Sequence, residues 1–448
     1  MVPSSPAHLT VLLTCRELVL RAGTQLYTRD VAEALRALGH VPIVYAPRLG
    51  PAAEELRRSG ISVVGDLERL VEAPDVIHGQ HHVEAMAAML RFPRTPALFV
   101  CHGWLPWPEA PPRFPTLSLY VAVDALRRER LVIEHGIDPR VVRVLHNFVD
   151  LERFLPRPPL PARPRRALVF SNQVGAEGAL MAAAREACAG AGIELAAVGL
   201  GFGRPVEAPE ELLPGFDLVF ARGRCALEAM AVGAAVVLAD AEGLGQLVTS
   251  ESFERLQDLN FGFQALARAP DGQALAAEVA RFDAADAARV SARVRREHDR
   301  RTAVPALVGF YREAILAVER ERSRATAPGA DDELLRAASR YLTWASEQID
   351  LQIAFARDAA RAQRSLTELA GEAAAAASTE LIAARAELGE VRAALARTTE
   401  ESTALAMRAG SAEADLTLLA SSPFVRLRNR LLSVAPLVAA YQRLKSSS

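Results

Sequence analysis

The residues best suited to chemistry lie close together in the stretch 217–248, DLVFARGRCALEAMAVGAAVVLADAEGLGQLV. Arg222 and Arg224 occupy a predicted turn after a short apolar strand, and a helix begins at about Cys225. Glu228 then lies in the first turn of that helix, near its positive end. The alternatives for Glu228 are a carboxylate that accepts hydrogen bonds from ligand hydroxyls and a charge that only balances the helix dipole.

A second strand follows and delivers Asp240 to its carboxyl end, where Ala241–Gln246 is predicted to form a loop. Gly243 and Gly245 flank Leu244 in this loop and permit close approach to the backbone. Free backbone N–H groups in such a turn hold phosphate oxygens well. The stretch therefore predicts a site that holds a diphosphate on the glycine loop and ribose hydroxyls on the helix carboxylate.

Strand-like and helix-like segments alternate along the two regions that must position this site. The first region, 1–154, contains apolar strands such as Val41–Tyr45 and a helical pattern at Asp30–Leu38. A proline-rich linker, 155–166, separates it from a second alternation at 167–325. This order predicts an α/β protein with two Rossmann-like domains that face each other across a cleft at the carboxyl ends of their strands.

Composition excludes several classes of protein. Lys445 is the one lysine in 448 residues, so a P-loop, a protein kinase site and a pyridoxal phosphate Schiff base are excluded. A net charge of −2 gives no reason to expect nucleic acid as a partner. Four scattered cysteines and the lack of a signal-peptide pattern or an apolar run of about 18 residues favour a cytoplasmic protein.

The last quarter of the chain has a different composition. Residues 331–420 are rich in Ala, Glu, Arg and Leu and contain no proline, which predicts a long helix. Its thin apolar seam allows a coiled coil that self-associates or binds a partner, or a single solvated helix. The basic, apolar tail at 421–448 either contacts an anionic membrane surface through 423–444 or packs on its own helix.

Several motifs together resemble the retaining GT-B glycosyltransferases of family 4. ALEAMAVGAAVVLAD resembles the family's helix-glutamate motif, and RAGTQLYTRDVAEALRALGH resembles its first glycine loop and helix. LFVCHG and GIDPRVVRVLHNFVDLERF are similar to its acceptor-side strand and to the passage that closes its first domain. The likeness covers about residues 9–320. It implies metal-independent sugar transfer from a nucleotide-diphosphate sugar to a saccharide or lipid-linked acceptor, without a cofactor.

The resemblance also implies roles for particular residues. The donor-binding set comprises Gly201, Glu228, Gly243, Leu244 and Gly245, with Arg222 and Arg224 as substitutes for the family's phosphate-binding cations, which this sequence lacks. His102 occupies the catalytic side, or simply caps a strand end. Gly23 and Thr24 form an acceptor-side backbone cradle or an ordinary turn. Trp104 stacks on an acceptor sugar or packs locally.

Other residues weigh against a metal site or depart from the family pattern. His78, His81 and His82 lie close together, but no acidic or thiol residue has the spacing for a metal site. Phe220 replaces a family glutamate, and the passage SNQVGAEG carries Glu177 where the family has cations for the phosphates. These departures favour a non-catalytic GT-B scaffold in surface polysaccharide assembly as the alternative. An epimerase or phosphorylase on the same fold is a third, weaker interpretation.

Overall fold

The computed structural model describes residues 7–19, 23–103, 108–324, 330–380, 399–401, 403–408 and 411. The chain divides into two compact units, Met1–Ala327 and Pro328–Ser448. The first unit contains two β-sheets. We call the part built on the first sheet the first lobe and the part built on the second sheet the second lobe.

The first lobe contains a seven-stranded, fully parallel sheet in the order β3-β2-β1-β4-β5-β6-β7. Its strands are β1 (Thr10–Thr14), β2 (Val41–Tyr45), β3 (Ser62–Val64), β4 (Val76–Gly79), β5 (Ala97–Cys101), β6 (Leu117–Ala122) and β7 (Val142–Val144). Its helices are α1 (Gly23–Ala37), α2 (Pro51–Arg58), α3 (His82–Arg91) and α4 (Ala125–Ile133). The strands are runs of apolar residues because a parallel sheet is covered on both faces. Val11 and Leu12 point to opposite faces, and both are fully buried.

The second lobe contains a five-stranded sheet in the order β12-β11-β10-β8-β9. Its strands are β8 (Arg166–Phe170), β9 (Glu194–Val198), β10 (Leu218–Ala221), β11 (Ala235–Asp240) and β12 (Gly243–Leu247). Four strands are parallel, and β12 runs antiparallel to β11. Its helices are α5 (Ala179–Ala191), α6 (Pro209–Leu212), α7 (Gly223–Val232), α8 (Phe253–Asp258), α9 (Gly272–Ala280) and α10 (Ala284–Glu297). The predicted α/β class with two parallel sheets is confirmed.

The helix that follows α10 returns to the first lobe. This helix, α11 (Arg300–Arg324), buries Val304, Leu307 and Tyr311 in the same apolar core as β1 and α1. The sequence boundary at residue 325 does not anticipate this return, because helical periodicity identifies an apolar face but not the sheet that covers it. The chain therefore crosses between the lobes twice, once near the proline-rich segment and once before α11.

The segment 155–165 contains no helix and no strand, in agreement with its proline content. It is held to the second lobe by Arg157, whose backbone N–H donates to the Val232 carbonyl at 2.9 Å and whose guanidinium pairs with Asp217 at 2.7 Å.

The second unit contains one long helix, α12 (Ala330–Glu380), which confirms the helical prediction for 331–380. Pairing of this helix into a coiled coil stays a prediction. Residues 381–398 and the tail 412–448, including the predicted membrane-contact segment, lie outside the described residues. Within the described residues, no helix combines the length and the apolar character needed to cross a bilayer.

Candidate functional site

The turn between β10 and α7 carries the predicted donor-binding arginines. Arg222 has an extended backbone, and Gly223 follows with φ of 56°, in the left-handed region that favours glycine. The Gly223 N–H donates to the Phe261 carbonyl at 2.7 Å. Because α7 begins at Gly223 and not at Cys225, Glu228 lies in the second turn of the helix. Its carboxylate is therefore farther from the positive, amino-terminal end of the helix than the sequence predicted.

Glu228 belongs to an ionic chain that joins the two lobes. Arg224 donates through Nε to the Glu228 carboxylate at 2.8 Å, and its Nη2 pairs with Asp30 of α1. Glu228 is 3% exposed and Asp30 is fully buried. Burial would raise the pKa of Asp30, but the charges of Arg224 and Arg29 bring this pKa below its ordinary value. Burial raises the pKa of Glu228, and Arg224 opposes that rise.

A second network ties together the carboxyl ends of β8, β10 and β11. Asp240 accepts hydrogen bonds from the Ser171 hydroxyl at 2.6 Å and from the Ala241 N–H at 2.8 Å. Its other oxygen pairs with Arg222, whose Nη2 also donates to Gln173 at 2.6 Å. Ligands of parallel α/β sheets bind at this edge. Arg222 is therefore a cation held at the expected place for a ligand, where it pairs with Asp240 and, at 3.3 Å, with Glu242.

The predicted glycine loop is wrong, because Gly243–Leu247 forms strand β12. The Leu244 N–H donates to the Arg268 carbonyl at 2.7 Å, and the Leu244 carbonyl accepts from the Arg268 N–H at 3.1 Å. A Cβ atom at Gly245 would lie 2.6 Å from the Ala265 carbonyl oxygen. The glycines do allow a close backbone approach, but the approaching chain is residues 265–268 of the protein itself. The Leu244 amide is not free for a phosphate.

Gly201 lies in a short 3₁₀ turn after β9, next to the loop that follows β8. A Cβ atom at Gly201 would be 2.3 Å from the Val174 carbonyl oxygen, so any side chain would collide with the backbone. The Leu200 N–H donates to the Asn172 side chain at 3.1 Å and fixes the two loops together. Packing thus requires glycine at this position, and a role of Gly201 in donor binding stays a prediction.

His102 follows β5 at the edge of the first sheet that faces the second lobe. Its Nε2 lies 2.9 Å from Gln80 Oε1, and its ring makes an edge contact with Tyr27 at 4.5 Å between centroids. With Gln80 Oε1 as the acceptor, Nε2 carries the proton and Nδ1 keeps a lone pair. Burial, together with nearby positive charge including that of Arg127, holds the pKa of His102 well below its ordinary value. The ring is neutral at physiological pH.

The remaining acceptor-side residues have simple surroundings. Gly23 opens α1 and is exposed, with no atom within 4 Å of an added Cβ. Thr24 contacts its own helix, because its carbonyl accepts from the Thr28 hydroxyl at 2.8 Å. Trp104 lies outside the described residues. The acceptor-side roles of these residues stay predictions.

Comparison with known proteins gives this geometry a context. Residues 21–153 match the model of Glycosyltransferase Family 4. A glycosyltransferase from Rickettsia africae ESF-5 superposes with a TM-score of 0.53 at 16% identity, covering 69% of this chain and 99% of that one. Anabaena Alr3699/HepE, solved with UDP and glucose, superposes with a TM-score of 0.50 at 17% identity, covering 67% and 99%. No curated protein matches the chain.

The fold is GT-B. The 69% of this chain that the Rickettsia structure covers corresponds in size to the two lobes, and α12 is additional to this GT-B core. At 16–17% identity the superpositions establish the architecture of this protein and not its substrates. The family model matches part of the first lobe, residues 21–153, and the two-lobed arrangement comes from the structural comparison.

Three buried histidines of the first lobe, His78, His81 and His82, make separate contacts and do not share a ligand. His78 Nδ1 lies 2.7 Å from the Tyr311 hydroxyl of α11, His81 Nδ1 accepts from the Arg16 N–H at 3.1 Å, and His82 Nδ1 lies 2.8 Å from the Ala110 carbonyl. His81 has φ of 62°, an uncommon backbone conformation for a residue with a side chain. Among the described residues, no three potential metal ligands converge.

Sequence reasoning missed Asp30, Gln80 and Glu109. Asp30 is three residues after Tyr27 in α1 and therefore shares its buried face, which is a signal that the sequence contained. Glu109 accepts the backbone N–H groups of His102 and Gly103 at 3.3 and 3.2 Å and so supports the histidine. No local pattern indicates that contact.

Proposed function

We propose that this protein is a glycosyltransferase that moves a sugar from a nucleotide-diphosphate sugar to a saccharide or lipid-linked acceptor. The observation that carries the proposal is a buried carboxylate, Glu228, on the helix that follows β10, where the two lobes of a GT-B core meet. The family 4 match to the first lobe and the UDP complexes of the Anabaena protein support it.

In this proposal the donor lies at the carboxyl ends of β8, β10 and β11. Glu228 accepts hydrogen bonds from the ribose hydroxyls, and Arg222 faces the diphosphate. His102 approaches the transferred sugar or the acceptor from the first lobe. The bond between the anomeric carbon and the diphosphate oxygen breaks while a bond to the acceptor oxygen forms. The departing nucleoside diphosphate takes the electron pair of the broken bond and accepts the proton that the acceptor hydroxyl loses, without a required metal ion.

The setting of the reaction is also part of the proposal. The tail sequence SSPFVRLRNRLLSVAPL is similar to endings of bacterial surface-polysaccharide transferases and methyltransferases. We therefore place the reaction in surface polysaccharide assembly, in the cytoplasm. In this proposal the protein contacts the inner membrane through 423–444 and self-associates or binds a partner through 331–420. Flotation with anionic liposomes tests the membrane contact, since a protein left at the bottom of the gradient excludes it.

Nucleotide binding is the direct test. A ligand at about 100 times its Kd stabilises a protein by about 2.7 kcal/mol, which for a unit of 327 residues raises the melting temperature by about 4 °C. We expect UDP or GDP to give such a shift in the wild type, and Glu228→Gln to reduce it. Glu278→Gln is the matched control, because Glu278 is 7% exposed but pairs with Arg268 and Arg281 away from the first lobe.

The alternative is a non-catalytic GT-B scaffold, and two observations favour it. Phe220 is fully buried in the second-lobe core, and the Leu244 amide is used within the protein. A scaffold shows no thermal shift with UDP, GDP or their sugars. A thermal shift that disappears in Glu228→Gln and remains in Glu278→Gln demonstrates a nucleotide site, and so excludes a scaffold that lacks one.

A further inference from the structure

Three charged side chains form a continuous path across the interface between the lobes. Asp30 belongs to α1 in the first lobe, and Arg224 and Glu228 belong to α7 in the second. Arg224 is 14% exposed, while the side chains of Asp30 and Glu228 are 0% and 4% exposed. An ion pair at these exposures lies largely outside solvent, so its geometry is held far more firmly than that of a surface pair.

Arg224 controls the chemical state of Glu228. Burial favours the neutral acid, which donates a hydrogen bond, whereas holding two ribose hydroxyls requires the ionised, accepting form. The positive charge of Arg224 at 2.8 Å favours the ionised form. A carboxylate has about four lone-pair directions, and this contact uses one of them. Arg224 therefore prepares Glu228 as an acceptor without filling its hydrogen-bonding capacity.

Asp30 fixes the other end of the same guanidinium. Arginine donates through a planar fork, so holding its Nη2 also sets the direction of its Nε. Arg29 pairs with Asp30 at 3.0 Å. The two negative charges of Asp30 and Glu228 are matched by the two positive charges of Arg29 and Arg224, so the net charge of this paired group is zero. A neutral group of this kind does not attract a diphosphate, and its chemistry suits uncharged hydroxyls.

We propose that Asp30 of the first lobe is a positioning residue for the donor nucleotide: through Arg224 it orients Glu228 toward the ribose hydroxyls. This inference rests on the proposed function and extends it to a residue in the opposite lobe. Recognition of ribose is then complete only when the lobes are together, so donor selection and closure of the interface depend on each other.

The measurement is the preference for ribose over 2′-deoxyribose. Dissociation constants for UDP, GDP and their 2′-deoxy forms are determined by calorimetry on the full chain. We expect the wild type to bind the ribonucleotide at least tenfold more tightly, since hydrogen bonds to a charged group contribute about 1.5–3 kcal/mol. Asp30→Asn and Glu228→Gln each remove most of this preference. The double variant loses no more than Glu228→Gln alone, because both changes act on one contact.

A second variant and a matched control make the result specific. Arg224→Lys keeps the charge but cannot grip two carboxylates through one fork, so it also loses the ribose preference and decides the matter if Asp30→Asn does not fold. Asp217→Asn removes another buried, arginine-paired carboxylate outside this path and leaves the preference intact. None of these substitutions changes Asn147 or Asn260, whose side chains form a separate hydrogen bond of 2.8 Å across the interface.

Each outcome is decisive. If the wild type binds neither UDP nor GDP, the proposed function and this inference both fail. If it binds the ribonucleotides and their 2′-deoxy forms equally well, the ribose role of Glu228 and this inference fail together. If the wild type prefers ribose and Asp30→Asn keeps that preference, the function stands and only the positioning role of Asp30 is overturned.

Discussion

Replacing Arg224 by methionine is the most informative stability experiment on this protein. The substitution keeps most of the side-chain volume and leaves Asp30 and Glu228 as buried carboxylates at 0% and 4% exposure. Removal of one partner from a buried ion pair typically costs about 3–5 kcal/mol. The cost is this large because both carboxylates lose their shared cation and neither can reach water.

The expected signal follows from the size of the folded unit. At about 2.1 cal/mol/K per residue, a unit of 327 residues loses about 4–7 °C in melting temperature for that cost. Calorimetric scans at low and high salt provide the measurement, and a buried pair is nearly insensitive to the salt. Arg140→Met is the control, since Arg140 is 88% exposed and pairs only with its near neighbour Asp138.

The difference in stability between the wild type and Arg224→Met also depends on pH, and the direction of that dependence can be predicted. In the wild type, the lowered pKa of Asp30 contributes stability above its unfolded pKa of 3.8, and that stability is lost as the pH falls through the folded value. Without Arg224, the raised pKa of Glu228 rises further, so the folded variant holds a proton that the unfolded chain releases above about pH 4.5. The deficit of the variant relative to the wild type therefore grows as the pH rises above about 4.5. A melting temperature equal to that of Arg140→Met, or a deficit that shrinks with rising pH, refutes the reasoning.

Two further predictions concern buried groups elsewhere. Burial lowers the pKa of His78 to about 3 and that of His81 to about 4. Each histidine therefore lowers the free energy of unfolding by about 1.4 kcal/mol per pH unit as the pH falls below 6.5. Chemical denaturation from pH 7 to 5 measures this, and the prediction is contradicted if His78→Gln leaves the slope of unfolding free energy against pH unchanged. Phe220→Glu, which restores the family residue, destabilises the second lobe by several kilocalories per mole, because Phe220 packs with Val169 and Ala239; a stable and more active variant would overturn this.

The sheets and most of their helices could be predicted from local pattern. The strand at Ala235–Asp240 is a continuous apolar run that ends in a charged residue, and the strand at Val41–Tyr45 has the bounds that its apolar residues predicted. The first helix is an informative failure, since it begins at Gly23 and not at Asp30. Its early turns bury Tyr27 and Thr28, which periodicity of strongly apolar residues does not detect.

The segment Gly243–Leu247 shows where local chemistry stops being informative. Glycine allows a backbone to approach either a ligand or another strand, and both outcomes satisfy the same residues. In this protein the glycines approach another part of the backbone, because Arg268, twenty-four positions away, exchanges two backbone hydrogen bonds with Leu244. A single sequence contains no record of that pairing, so the phosphate cradle was a reasonable but wrong prediction.

The ionic path has one part that a sequence can reveal and one that it cannot. Arg224 and Glu228 are four residues apart on a helix, a spacing that by itself predicts contact. Asp30 is 194 positions from Arg224, and its own neighbour Arg29 already offers a local partner. The contact forms because α1 and α7, which belong to different lobes, meet at the interface. The ionisation of the carboxylate proposed to hold the donor is consequently a property of both lobes together, and neither lobe alone would show it.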